Sequence, residues 1–91
     1  MDVELYTMEF CPRCDDVKQY LNQNSISYSS KDLEDPDVTV DLLYEGIVPT
    51  EAPLMRVKDK IYQTADLFLN GKVNLALLSN IIQGDATNAG Y

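Results

Sequence analysis

The stretch that most limits the fold is VELYTMEFCPRCDDVKQYL, residues 3 to 21, because its apolar pattern changes period halfway along. Val3, Leu5 and Tyr6 stand among acids in a short run of β-formers, which predicts a strand over 3–7. Beyond Pro12, Val17, Tyr20 and Leu21 recur at helical spacing, which predicts a helix over 12–22. Proline suits the first turn, where its missing N–H would have had no partner. NQNS, 22 to 25, stops the helix. Ile26 and Tyr28 alternate with serines, so 26–31 reads as a second strand. A helix between two strands implies a parallel pair joined by a right-handed crossover.

The rest of the chain continues this grammar. DLEDPD, 32 to 37, is an acidic, turn-rich connection. Residues 38–44 read as a short helix with Asp37 as N-cap and Gly46 as C-cap, weakened by the β-branched run Val38-Thr39-Val40. GIVPTEAP is a loop with two prolines. LMRV, 54 to 57, KD and KIY, 60 to 62, then read as strand, two-residue turn and strand. The loop QTAD leads into a final helical stretch over 67–82, in which Gly71 marks a break or an irregular start. The order β-α-β-α-β-β-α predicts an α/β domain over 1–82, a four-stranded mixed sheet flanked by helices, with 83–91 as a flexible tail.

Charge narrows the function classes. Fifteen acids face seven bases and no histidine, a net charge of −8. Nucleic-acid binding needs a basic footprint, and this chain would be repelled by phosphates and by anionic membranes alike. No run approaches the ~20 apolar residues of a membrane span. The start, MDVELYTMEF, is acidic where a signal peptide is basic. These features lead us to expect a cytoplasmic monomer that binds neither nucleic acid nor membrane.

The chain holds two cysteines, in EFCPRCDD, residues 9 to 16. A closed zinc site needs four Cys or His ligands. Two cysteines without histidine do not supply them, so no metal site is expected within one chain. A structural disulfide here would close a tiny loop, and cytoplasmic thiols are kept reduced. Catalysis by exchange fits the location better. Cys11 lies where the first strand gives way to the first helix, facing free N–H groups and the positive end of the helix dipole. A thiolate there is stabilised and becomes a nucleophile. Cys14, one turn on, can attack a mixed disulfide formed on Cys11, which completes thiol–disulfide exchange. Pro12 stiffens this active-site turn. Arg13 sets a fixed positive charge beside the thiolate, while Glu9, Asp15 and Asp16 act in the opposite sense. Phe10, just before Cys11, offers apolar surface to a docking partner.

A C-x-x-C beside a βαβ pattern reads as a thioredoxin-like redox motif. Residues 3 to 82 resemble the glutaredoxins of the thioredoxin superfamily. VELYTMEFCPRCDDVKQYLNQNSISY is similar to their first strand, active-site turn and first helix. APLMRVKDKIY is similar to the segment that carries their cis-proline, third strand and hairpin. The resemblance implies a thioredoxin fold, with Pro53 rather than Pro49 as the cis-proline facing Cys11. It also implies that the backbone of Ala52 pairs with bound substrate, in a groove to which Phe10, Glu51, Gln63, Thr64 and Asp66 contribute.

The departures concern glutathione. The family usually has Tyr where this chain has Arg13, a lysine near Met8-Glu9, Thr-Val where Glu51-Ala52 stands, and Gly-Gly after the fourth strand, where IYQTAD has none. Glutathione is anionic, and Glu51 repels it. Ala52-Pro53 and Tyr62 are similar to features of the redoxin branch that serves ribonucleotide reductase and accepts electrons from thioredoxin reductase. The resemblance therefore implies dithiol exchange with a disulfide-containing protein, ribonucleotide reductase among the candidates. The donor is thioredoxin reductase or glutathione, and no cofactor is tightly bound. Two other readings stay open: an iron–sulfur cluster or metal shared between cysteines of two chains, and a redox-sensing interaction module.

Overall fold

The computed structural model describes residues 3–81. Strand β1 (Val3–Thr7) leads into helix α1 (Pro12–Gln23), and β2 (Ser29–Asp32) into α2 (Pro36–Tyr44). Then come β3 (Leu54–Val57), β4 (Lys60–Tyr62), a single-turn helix α3 (Thr64–Leu67) and a small hairpin of β5 (Phe68–Leu69) and β6 (Lys72–Val73). A last helix, α4, occupies 75–81. The main sheet has the order β2-β1-β3-β4. β1 runs parallel to β2 and antiparallel to β3, and β3 antiparallel to β4. This is the mixed α/β sheet expected from the sequence.

Alternation along the strands builds two cores. Val3, Leu5, Met55 and Val57 point to one face and are buried against Val17 and Leu21 of α1, Leu67 of α3 and Leu78 of α4. Tyr6 and Leu54 point to the other, where they meet Leu33, Leu42 of α2, Ala52 and Cys14. Leu5, Leu42, Leu67 and Leu78 lose all solvent contact. Each such burial stabilises by roughly 1.5–3 kcal/mol. The central strand β1 thus has helices above and below and ends at the cysteine motif.

The second face also carries a polar chain. Tyr6 O–H donates to Glu4 Oε2 at 3.2 Å, and Arg56 Nε donates to the Tyr6 oxygen at 3.3 Å. Arg56 also pairs with Glu45 just beyond α2, and Lys31 lies 3.9 Å from Glu4. The bond to Glu45 holds the guanidinium further into its charged form, and burial pushes the Tyr6 phenol above the ordinary tyrosine range. Arg56 is therefore a tie between β3, β1 and α2. The sequence reading placed Arg56 only in the first strand of a hairpin.

Four other differences have local causes. QTAD is not all loop, because Gln63 caps the single-turn helix α3 and Asp66 closes its capping box. The second strand is 29–32, not 26–31: Ile26 and Tyr28 pack on the first core before pairing begins. Helix α2 starts at Pro36 and is capped by Asp35, whose carboxylate accepts from the Asp37 N–H at 3.0 Å. Asp37 therefore lies in the first turn and is not the cap. Gly46 follows the helix with φ +81°, as a terminating glycine should. Finally, 67–82 is not one helix. Asn70 and Gly71, both at positive φ, turn the β5–β6 hairpin, and Asn74 Oδ1 accepts from Leu77 N–H to open α4. Ile82 and the tail 83–91 lie outside the described residues.

Candidate redox site

Cys11 is the N-cap of α1, with extended backbone, and Pro12 is its first helical residue. The Cys14 N–H donates to Cys11 Sγ at 3.1 Å, so the sulfur takes the place of a capping oxygen. The two cysteines form a disulfide with their Cα atoms 5.2 Å apart. Their exposures differ sharply. Cys14 is 1% exposed and belongs to the second core, whereas Cys11 is only partly buried at its margin. The one reachable sulfur is also the one at the helix N-terminus. A helix N-terminus of this kind favours negative charge on a group that caps it.

The opposite wall comes from the loop before β3. The Ala52–Pro53 bond is cis, and the Ala52 carbonyl oxygen lies 3.9 Å from Cys11 Sγ. Ala52 and Pro53 are themselves buried. Thr64 O–H donates to the Pro53 carbonyl at 2.7 Å and so fastens α3 to this loop. Beside it lies a cavity of about 240 Å³ lined by Val48, Thr50, Glu51, Leu54, Gln63, Thr64 and Ala65. Glu51, Gln63 and Thr64 thus share one groove beside the loop that carries Ala52 and Pro53. Asp66 does not line it. Its carboxylate instead accepts from the Gln63 N–H at 3.1 Å, in a capping box for α3.

On the other flank, Phe10 takes φ +56° and its side chain is 92% exposed. Arg13 is exposed and makes no ion pair among the described residues. The Glu9 N–H donates to Glu34 Oε1 at 3.2 Å, which ties the active-site turn to the loop before α2. Glu34, Val48 and Thr50 were not singled out from the sequence. Their places depend on how loops from separate elements converge, for which no local pattern exists. Among the described residues no three Cys, His, Asp or Glu side chains converge as metal ligands, and no helix is long and apolar enough to cross a membrane.

Comparison with known proteins agrees with this geometry. Residues 3–46 match the family model described as Glutaredoxin. No curated protein matches the chain. Among solved structures, the thioredoxin-like protein BC3987 superposes with a TM-score of 0.67 at 22% identity, covering 87% of this chain and 97% of its own. The glutaredoxin-like protein NrdH-redoxin from Escherichia coli does so with a TM-score of 0.60 at 17% identity, covering 69% of this chain and 82% of its own. The chain is therefore glutaredoxin-like in sequence over residues 3–46 and thioredoxin-like in fold.

Proposed function

We propose that the protein is a dithiol–disulfide oxidoreductase that reduces disulfides in other proteins. The observation that carries this reading is the asymmetry of the cysteine pair: a reachable sulfur capping a helix N-terminus, and a buried one within bonding distance. In the dithiol form, the Cys11 thiolate attacks one sulfur of the substrate disulfide and expels the other as a thiolate. Cys14, deprotonated, then attacks Cys11 Sγ, which closes the Cys11–Cys14 disulfide and releases the second substrate thiolate. Two electrons pass from protein to substrate, and a donor must restore the dithiol. Groups near the mixed disulfide would be Phe10, Arg13, the Ala52 backbone, and the groove of Glu51, Gln63 and Thr64.

The donor we favour is a thioredoxin reductase acting in the cytoplasm, with glutathione as the alternative and ribonucleotide reductase as one candidate acceptor. Support comes from Glu51, a carboxylate unpaired among the described residues and lining the groove an anionic tripeptide would enter, and from NrdH-redoxin, whose structure is described as explaining a thioredoxin-like activity profile. The test is a pair of variants followed by NADPH consumption with either donor system. Cys11→Ser is expected to bring insulin disulfide reduction to background. Cys14→Ser is expected to accumulate a mixed disulfide, visible on non-reducing gels as a mass shift reversed by dithiothreitol. Wild-type turnover by Cys11→Ser would refute the mechanism.

A further inference from the structure

We infer that Glu51 makes this groove selective for positively charged polypeptide around the substrate disulfide, so that the preferred acceptor is a protein whose disulfide is flanked by Lys or Arg. The inference rests on the oxidoreductase reading and refines its substrate class. Glu51 precedes Ala52, whose carbonyl oxygen lies 3.9 Å from Cys11 Sγ, so a segment lying along this backbone passes the carboxylate within a residue or two of its own disulfide. Glu51 is exposed, lines the 240 Å³ cavity and has no ion pair or hydrogen bond among the described residues. Its charge is available to a ligand. The other lining groups, Val48, Thr50, Leu54, Gln63, Thr64 and Ala65, carry no charge to offset it.

The kind of occupant follows from the other flank. An aromatic ring that is 92% exposed, held outward by a left-handed backbone at Phe10, gives a polypeptide apolar surface to cover. A small anion has no use for it. Arg13 is the nearest base in sequence, on the helix side of Cys11, while Glu9, Glu34 and Glu51 stand on the loops around it. The whole chain carries −8, so the distant field has the same sign as the local one and favours the approach of a cation. Opposite charge across an interface acts chiefly on encounter rate and on rejection of wrong partners.

The experiment uses the reduced full-length protein, in excess over two fluorogenic disulfide peptides of equal length. One has Lys and Arg beside its cysteines, the other Glu and Asp; bis(2-hydroxyethyl) disulfide serves as an uncharged reference. At low ionic strength the cationic peptide is expected to react on the order of tenfold faster than the anionic one. The ratio should fall toward one in strong salt. Glu51→Gln should shrink the low-salt ratio several-fold. Asp59→Asn makes the same charge change in the β3–β4 turn, at the opposite end of the sheet, and should leave the ratio near wild type. Equal rates for the two peptides would overturn the inference. So would equal effects of Glu51→Gln and Asp59→Asn, since net charge alone would then be at work. No reaction even with the uncharged disulfide would instead overturn the oxidoreductase reading itself, and the inference with it.

Discussion

At the scale of single residues, Phe10 is placed against its own preferences. A left-handed backbone costs an L-residue roughly 1–2 kcal/mol, and bulky side chains are rarely found there. The ring recovers none of that by burial, because it is 92% exposed. Sites of this kind concentrate where strain serves a function. Glycine would remove the steric cost but lose about 1 kcal/mol through its freer unfolded chain. Phe10→Gly is therefore expected to leave stability unchanged or slightly raised, although removing a buried phenylalanine from a core costs about 3–5 kcal/mol. Urea unfolding of the reduced protein decides it. A loss well above 1 kcal/mol would mean that the ring is packed and that its exposure is not what it offers a partner. The cysteine motif itself was legible from residue types and position. Phe10 was legible only as a neighbour, since nothing in EFCPRC reveals a positive φ.

At the scale of elements, legibility followed how much each segment owes to its own residues. Strands β1, β3 and β4 have the bounds that β-forming runs and the KD turn predict. β2 does not, because Ser-Ser-Lys-Asp has little strand character; its pairing with the buried β1 holds it in place. Asn70-Gly71 was the opposite case. It is a strong two-residue hairpin signal, hidden because the apolar residues around it also suit a helix. Asp35-Pro36 was likewise readable as a cap followed by proline at the first helical position. That cap matters because α2 is only nine residues long and contains Val38, Thr39 and Val40. Its one fully buried side chain is Leu42. Helices this short are marginal without capping and packing. Asp35→Ala is expected to cost about 1 kcal/mol. In a domain of this size that lowers the Tm by roughly 4–8 °C. An unchanged Tm would show that Leu42 and the Thr39 hydroxyl, bonded to the Leu33 carbonyl at 3.0 Å, suffice to hold α2.

At the scale of the whole molecule, the charge does two things that salt should separate. None of the acids among the described residues is buried, so the excess negative charge lies at the surface of a body measuring 38 × 27 × 20 Å. The Debye length is about 30 Å at 0.01 M salt, comparable with those dimensions, and about 3 Å at 1 M. At low salt, then, every acid repels nearly every other, and the compact state is penalised relative to the expanded chain. Among the described residues, the surface ion pairs Lys31–Glu4 and Arg56–Glu45 oppose this. Pairs of this exposure contribute about 0–1 kcal/mol each and are screened by the same salt. Seven bases cannot neutralise fifteen acids, so relief of repulsion should win. Raising KCl from about 0.01 M toward 1 M is therefore expected to raise the Tm, by roughly 4–8 °C for each kcal/mol of repulsion removed. Scanning calorimetry across a salt series reads it directly. A falling Tm would mean that the ion-pair chain through Glu4, Tyr6, Arg56 and Glu45 outweighs the surface field. The same salt series should slow reduction of a cationic disulfide, because encounter with Glu51 is screened. Stability and rate moving in opposite directions would distinguish a charge kept for partner choice from one that serves solubility alone.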